Sequence, residues 1–155
     1  MEGKTILKVL GGAAVVSTLF AFKKKSDFSK VIEQMTMDVR NVHKLRTSGG
    51  KLYMTVDIGF HNPTKYDMTI FTAGVIKVKR IQLFYKKILI GNAYSSLQEF
   101  ELPANSNYLI TDIQVELLLL NIVDQFLKGG LDSNVDNYQI HTTVEALGKT
   151  WVVEQ

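Results

Sequence analysis

The chain has 155 residues, 46% of them apolar and 21% charged, which suits one globular domain with an appendage and excludes a disordered chain. It contains no cysteine, so disulfides and thiolate metal sites are excluded. Its formal charge of +3 is unevenly spread: residues 1–30 carry +4 and residues 31–155 carry −1, so the body lacks the basic surface of a nucleic-acid-binding domain.

The first predicted element is apolar. No residue from Val9 to Phe22 is charged, and Lys23, Lys24 and Lys25 follow at once. A bilayer core asks for about 20 helical residues, so this run is marginal as a spanning helix. Three readings stay open: a membrane anchor, a helix buried among protein subunits, and a cleaved signal peptide. The last lacks a small-x-small cleavage site before the lysines. Gly11, Gly12 and Ala13 offer a smooth surface for close helix packing. Val9, Leu10, Val16, Leu19, Phe20 and Phe22 supply the apolar contact, and the lysines mark its edge. Residues 1–26 are therefore expected to form a hydrophobic N-terminal helix, and residues 27–155 the folded domain. If the segment spans a bilayer, the charge after it places that domain on the cytoplasmic side.

From residue 35 the period changes to two. Met35, Met37 and Val39 alternate with Thr36, Asp38 and Arg40, which predicts a strand. In residues 52–60, Leu52, Met54, Val56, Ile58 and Phe60 point one way, and Tyr53, Thr55, Asp57 and Gly59 the other. Further strands are expected at 67–71, 75–85, 88–90, 97–102, 108–117, 138–147 and 150–153. Turn residues separate them: Lys86-Lys87, Pro103 and Gly148-Lys149. Seven or eight short strands with this alternation predict an all-β sandwich or barrel. Residues 118–128 break the rhythm, placing Leu119, Ile122, Val123, Phe126 and Leu127 at helical spacing before Gly129-Gly130. They predict one crossover helix capping an open end of the sandwich.

The chemical inventory is thin. His43, His61 and His141 lie far apart, with no metal-ligand spacing among them. Gly148-Lys149-Thr150 has the end of a phosphate-binding loop, but position 143 is Thr and no helix can follow. Asp57, Glu99, Glu101, Asp112 and Glu116 are expected on a solvated strand face. The cluster Lys77, Lys79, Arg80, Lys86 and Lys87 is expected to discourage edge pairing. No catalytic residue, metal site, cofactor or small-molecule substrate is expected.

The alternating strand at 52–60, followed by Asn62-Pro63, resembles a hallmark of the late embryogenesis abundant type 2 family, also called the water stress and hypersensitive response domain. Ile90-Gly91 resembles its hairpin-then-glycine step, and Leu102-Pro103-Ala104-Asn105 its turn before a long strand. The resemblance runs from about Thr36 to Val153. It implies a fibronectin-III/immunoglobulin-like β-sandwich without catalytic residues. Family members with hydrophobic or lipidated N-termini, and homologous domains in tailed-phage virions, imply a structural or interaction module. Its expected partners are the protein subunits of an assembly, with membrane lipid as the alternative, and its location a virion or a membrane. The cysteine that would carry a lipid is absent here. The rival expectation is a stress-protective protein that shields apolar surfaces. Asn62 has a physical reason for its place: Pro63 keeps it extended, and its amide can serve the backbone groups of the turn.

Overall fold

The computed structural model describes residues 27, 29–69, 76–94, 101–146 and 149–154. A helical turn at 29–34 leads into ten strands: β1 (Thr36–Val42), β2 (Arg46–Ser48), β3 (Lys51–Asn62), β4 (Met68–Thr69), β5 (Ile76–Tyr85), β6 (Ile88–Ala93), β7 (Glu101–Leu102), β8 (Ser106–Leu117), β9 (Tyr138–Ala146) and β10 (Lys149–Glu154). One α-helix, α1 (Leu119–Leu127), and a 3₁₀ turn (Val135–Asn137) lie between β8 and β9. The fold is all-β and antiparallel, as the period-two pattern requires.

Eight strands form one sheet in the order β1-β3-β8-β6-β5-β9-β10, with β2 paired to β3, while β4 and β7 form a separate pair. The sheet folds over itself: β1 packs against β9 and β10 without pairing with either. Two leaves result, β1-β3-β8 and β6-β5-β9-β10, with the core between them. Met54, Val56, Ile58 and Phe60 enter it from β3, and Ile81, Leu83, Tyr85 and Ile140 enter from β5 and β9. The expected register of residues 52–60 is therefore present.

The leaves are joined by a short stitch, Gly91 to Leu117 and Asn92 to Glu116. A β-carbon on Gly91 would lie 2.6 Å from Val115 Cγ1 and 2.8 Å from the Glu116 carbonyl, so only glycine lets the strands come this close. Two hairpins have two-residue loops that lie wholly within the described residues. Gly49-Gly50 takes positive φ between β2 and β3, and Lys86-Lys87 does so between β5 and β6 (φ 47° and 68°).

Two expectations need correction. β5 lies between β6 and β9, so Lys79 and Arg80 do not guard an edge. Lys79 instead pairs with Glu145 at 2.9 Å, beside a bulge between Val78 and Arg80. Asp57 does point to the outer face, yet it is buried there, because both neighbouring strands bulge opposite it.

The strands also give the domain two poles. Asn62, Ser106 and Thr36 mark one, where residues 29–34 enter; Leu117, Lys51 and the Lys86-Lys87 hairpin mark the other, where α1 sits. β3 runs from one to the other, and its 12 residues correspond to roughly 35–40 Å at about 3.3 Å per residue.

Candidate functional site

The expected contact residues Val9, Leu10, Gly11, Gly12, Ala13, Val16, Leu19, Phe20, Phe22, Lys23, Lys24 and Lys25 lie outside the described residues. Among the described residues, no helix is long and apolar enough to cross a membrane.

Four of the five motif residues meet at the entry pole. Asn62 is fully buried, and its amide nitrogen donates to the carbonyls of Tyr66 (2.8 Å), Leu102 (3.1 Å) and Pro103 (3.0 Å). Its Oδ1 accepts from the Thr64 N–H (2.9 Å) and hydroxyl (2.7 Å). The Asn105 N–H then donates to the Thr64 carbonyl at 2.9 Å, with Asn105 in the left-handed region (φ 50°). Pro63 and Pro103, both exposed, flank this node. Asn62 thus ties the loop after β3 to the turn before β8, with every polar atom of its side chain used. The fifth residue, Gly91, lies at the other end, in the stitch. Lys30 joins the incoming chain to the node, its Nζ 3.3 Å from the Tyr66 hydroxyl and 4.7 Å from that ring's centre. The arrangement is a structural one: it fixes where residues 29–34 join the sandwich.

A second cluster was not expected from the sequence. Asp57, 13% exposed at its side chain, accepts from His43 Nε2 at 3.1 Å and from the Asp112 N–H at 2.9 Å. His43, Asp57 and Asp112 bring one imidazole and two carboxylates within 4.8 Å of one another. Asp112 has φ 58°, the geometry of the β8 bulge. Burial pushes the Asp57 carboxyl upward, but hydrogen bonds from Asp112, His43 and Asn41 outweigh it and hold the group below its ordinary range. The carboxylate is therefore ionised and serves the bulged backbone. Its partners are fourteen and fifty-five residues away in the chain, so no local spacing could reveal them. The other histidines have separate neighbours: His61 Nδ1 lies 2.7 Å from Asn107 Oδ1, and the His141 ring lies 4.4 Å from that of Phe84.

Asp132 organises the far pole. It accepts from Asn137 Nδ2 (2.9 Å) and from the Tyr85 hydroxyl (3.0 Å), while its carbonyl accepts from the Tyr138 hydroxyl. The Asn137 amide is the main cause that holds its carboxyl below the ordinary range, against a smaller opposing effect of burial. Burial, then the Asp132 charge, pushes the Tyr138 phenol well above its usual value.

Helix α1 completes that pole and carries the most unusual surface. Its first turn docks on β6 through Leu118 N–H to the Ile90 carbonyl and Asn121 Nδ2 to the Leu89 carbonyl, each 2.8 Å. The helix caps the sandwich end as expected. Yet of the five residues at helical spacing only Ile122 is buried, and its inward companion is Gln125. Leu119, Leu120 (91% exposed), Val123, Phe126 and Leu127 (82%) face outward. At 100° per residue these five fall on one arc of about 120°. A recess of about 350 Å³ lies on the outer face of the first leaf, lined by Arg40, Gly59, Phe60, Asn107, Tyr108 and Leu109.

No protein-family model matches this sequence, and no curated protein matches it.

Proposed function

We propose that the chain is a non-enzymatic structural and interaction module, held in a larger assembly, virion or membrane, through its N-terminal apolar segment. The observation that carries this reading is the outward apolar face of α1. A helix that buries two residues and exposes five large apolar ones is built for a further contact, because soluble monomers rarely keep such a stripe in water.

The strand order supports the finer fold reading. Taking β1, β3, β5, β6, β8, β9 and β10 as the seven principal strands, the fourth pairs with the third over five residue pairs and with the fifth over two. An immunoglobulin constant domain keeps its fourth strand with the first, second and fifth. The present order agrees with a fibronectin-III-like variant, the one that the resemblance to the late embryogenesis abundant type 2 family implies. The Asn62 node gives that family's Asn-Pro step a mechanical role here. The clamped Asp57, with its hydrogen bonds turned toward backbone and His43, agrees with a structural rather than a catalytic use.

The test compares the full chain with residues 27–155 by vesicle flotation and by native mass. The full chain is expected to float or to enter particles of defined stoichiometry, and residues 27–155 to stay monomeric and β-rich. A full chain that remains a soluble monomer overturns the proposal.

A further inference from the structure

We infer that α1 is the receiving surface for the Val9–Phe22 segment of a second copy of this chain, so that copies join head to tail. The inference rests on the proposed assembly role and names its partner.

The argument starts from two apolar surfaces and their separation. Leu119, Leu120, Val123, Phe126 and Leu127 form one stripe on a nine-residue helix. Fourteen uncharged residues from Val9 to Phe22 form the other, and their Gly11-Gly12-Ala13 stretch permits the backbone to approach bulky leucines and phenylalanine closely. The chain enters the domain at the Asn62 pole, beside Tyr66, and α1 lies at the opposite pole, one length of β3 away. The five residues from Asp27 back to Phe22 reach at most about 18 Å even when fully extended. As a helix at about 1.5 Å per residue the run adds only about 20 Å, so at a domain length of roughly 35–40 Å its first residues alone could touch its own α1 and it cannot lie along that helix over its length. A neighbouring copy can. The contact pairs two different surfaces, so it repeats from copy to copy into rings or filaments and does not close as a two-fold dimer. A bilayer that takes the segment of one copy leaves that copy's own α1 about one β3 length away, which sets the lipid and protein alternatives apart.

The chain has no cysteine, so a cross-link can be placed without background. Two differently tagged full-length chains, Ala13→Cys and Val123→Cys, are co-expressed and oxidised in the lysate before any detergent is added. The expected product is a disulfide-linked pair carrying both tags. Adding Leu120→Glu and Leu127→Glu to the Val123→Cys chain should abolish it, with an unchanged far-ultraviolet spectrum and melting temperature, since both side chains face solvent. Linking of Ala13→Cys to Thr150→Cys on β10 as readily as to Val123→Cys overturns the inference. So does a doubly substituted chain that closes on itself at high dilution, or a segment found only in the membrane fraction with no link to α1. Particles that persist undiminished in the glutamate variant overturn this inference while leaving the assembly role standing. A full chain that is monomeric and soluble overturns both.

Discussion

The Asn62 amide shows how much one side chain can hold. Asn62→Leu keeps a similar volume but removes the Asn62 partner of the Thr64 N–H and of the Leu102 carbonyl, and leaves the Tyr66 and Pro103 carbonyls only the Thr64 and Ser106 hydroxyls. At about 1–3 kcal/mol for a buried unmet group, with partial relaxation, the loss should be about 2–4 kcal/mol in denaturant unfolding. Thr142 is the opposite case. It is buried in the core row of β9, and its hydroxyl has no hydrogen-bond partner among the described residues. Thr142→Val exchanges that hydroxyl for a methyl of equal shape and should stabilise the domain by about 1 kcal/mol in the same assay. Asp57 links stability to pH. Its folded carboxyl titrates below its ordinary value of 3.8, so its contribution is complete above that value and is lost as pH falls through the lower folded value. The stability difference between the native chain and Asp57→Asn should therefore shrink toward zero in acid; an equal difference at neutral pH and near pH 2 would contradict the clamp. The alternation of residues 52–60 made the side of the sheet legible for Asp57, but not its depth. Depth came from bulges in β1 and β8 and from His43, none of which strand periodicity encodes. The use of Asn62 by the turn, by contrast, was legible, because Pro63 and Thr64 announce the loop it serves.

At the scale of elements, what the sequence made readable were period and punctuation. β1, β3, β5, β6, β8, β9 and β10 lie where alternation and turn residues place them, and the helix ends before Gly129-Gly130. β2 escaped notice because three exposed residues carry no pattern. The orientation of α1 escaped for another reason. Its apolar arc, from Ile122 round to Leu120, is about 160° wide, so either edge could dock; the burial of Ile122 with Gln125 shows that the Ile122 edge does. The Lys86-Lys87 hairpin offers a prediction of its own. Both lysines hold positive φ, where a two-residue loop favours Asn-Gly. Lys86→Asn with Lys87→Gly should relieve that strain, stabilise the domain by about 1 kcal/mol and raise its melting temperature by a few degrees. A lower midpoint would show that the Lys86 contact over the Tyr85 ring, at 5.0 Å, outweighs the strain.

For the whole molecule, the placement of the Asn62 node and α1 at opposite poles has a mechanical consequence. Tension applied between the entering chain and α1 runs along the strands. It pulls β1 toward one pole and β8, through α1, toward the other, with β3 hydrogen-bonded between them. Load in that direction shears the β1–β3 and β3–β8 ladders, so many hydrogen bonds must yield together. Load across the sheet peels them one at a time. Single molecules held at residue 27 and at residue 123 should therefore unfold at a markedly higher force than molecules held at residue 27 and residue 61, because Thr36 and His61 pair at the same pole and the β1–β3 ladder then opens from its end. Equal forces in the two geometries would contradict this picture. A module linked to its neighbours at its two poles would meet strain along its stiffest axis.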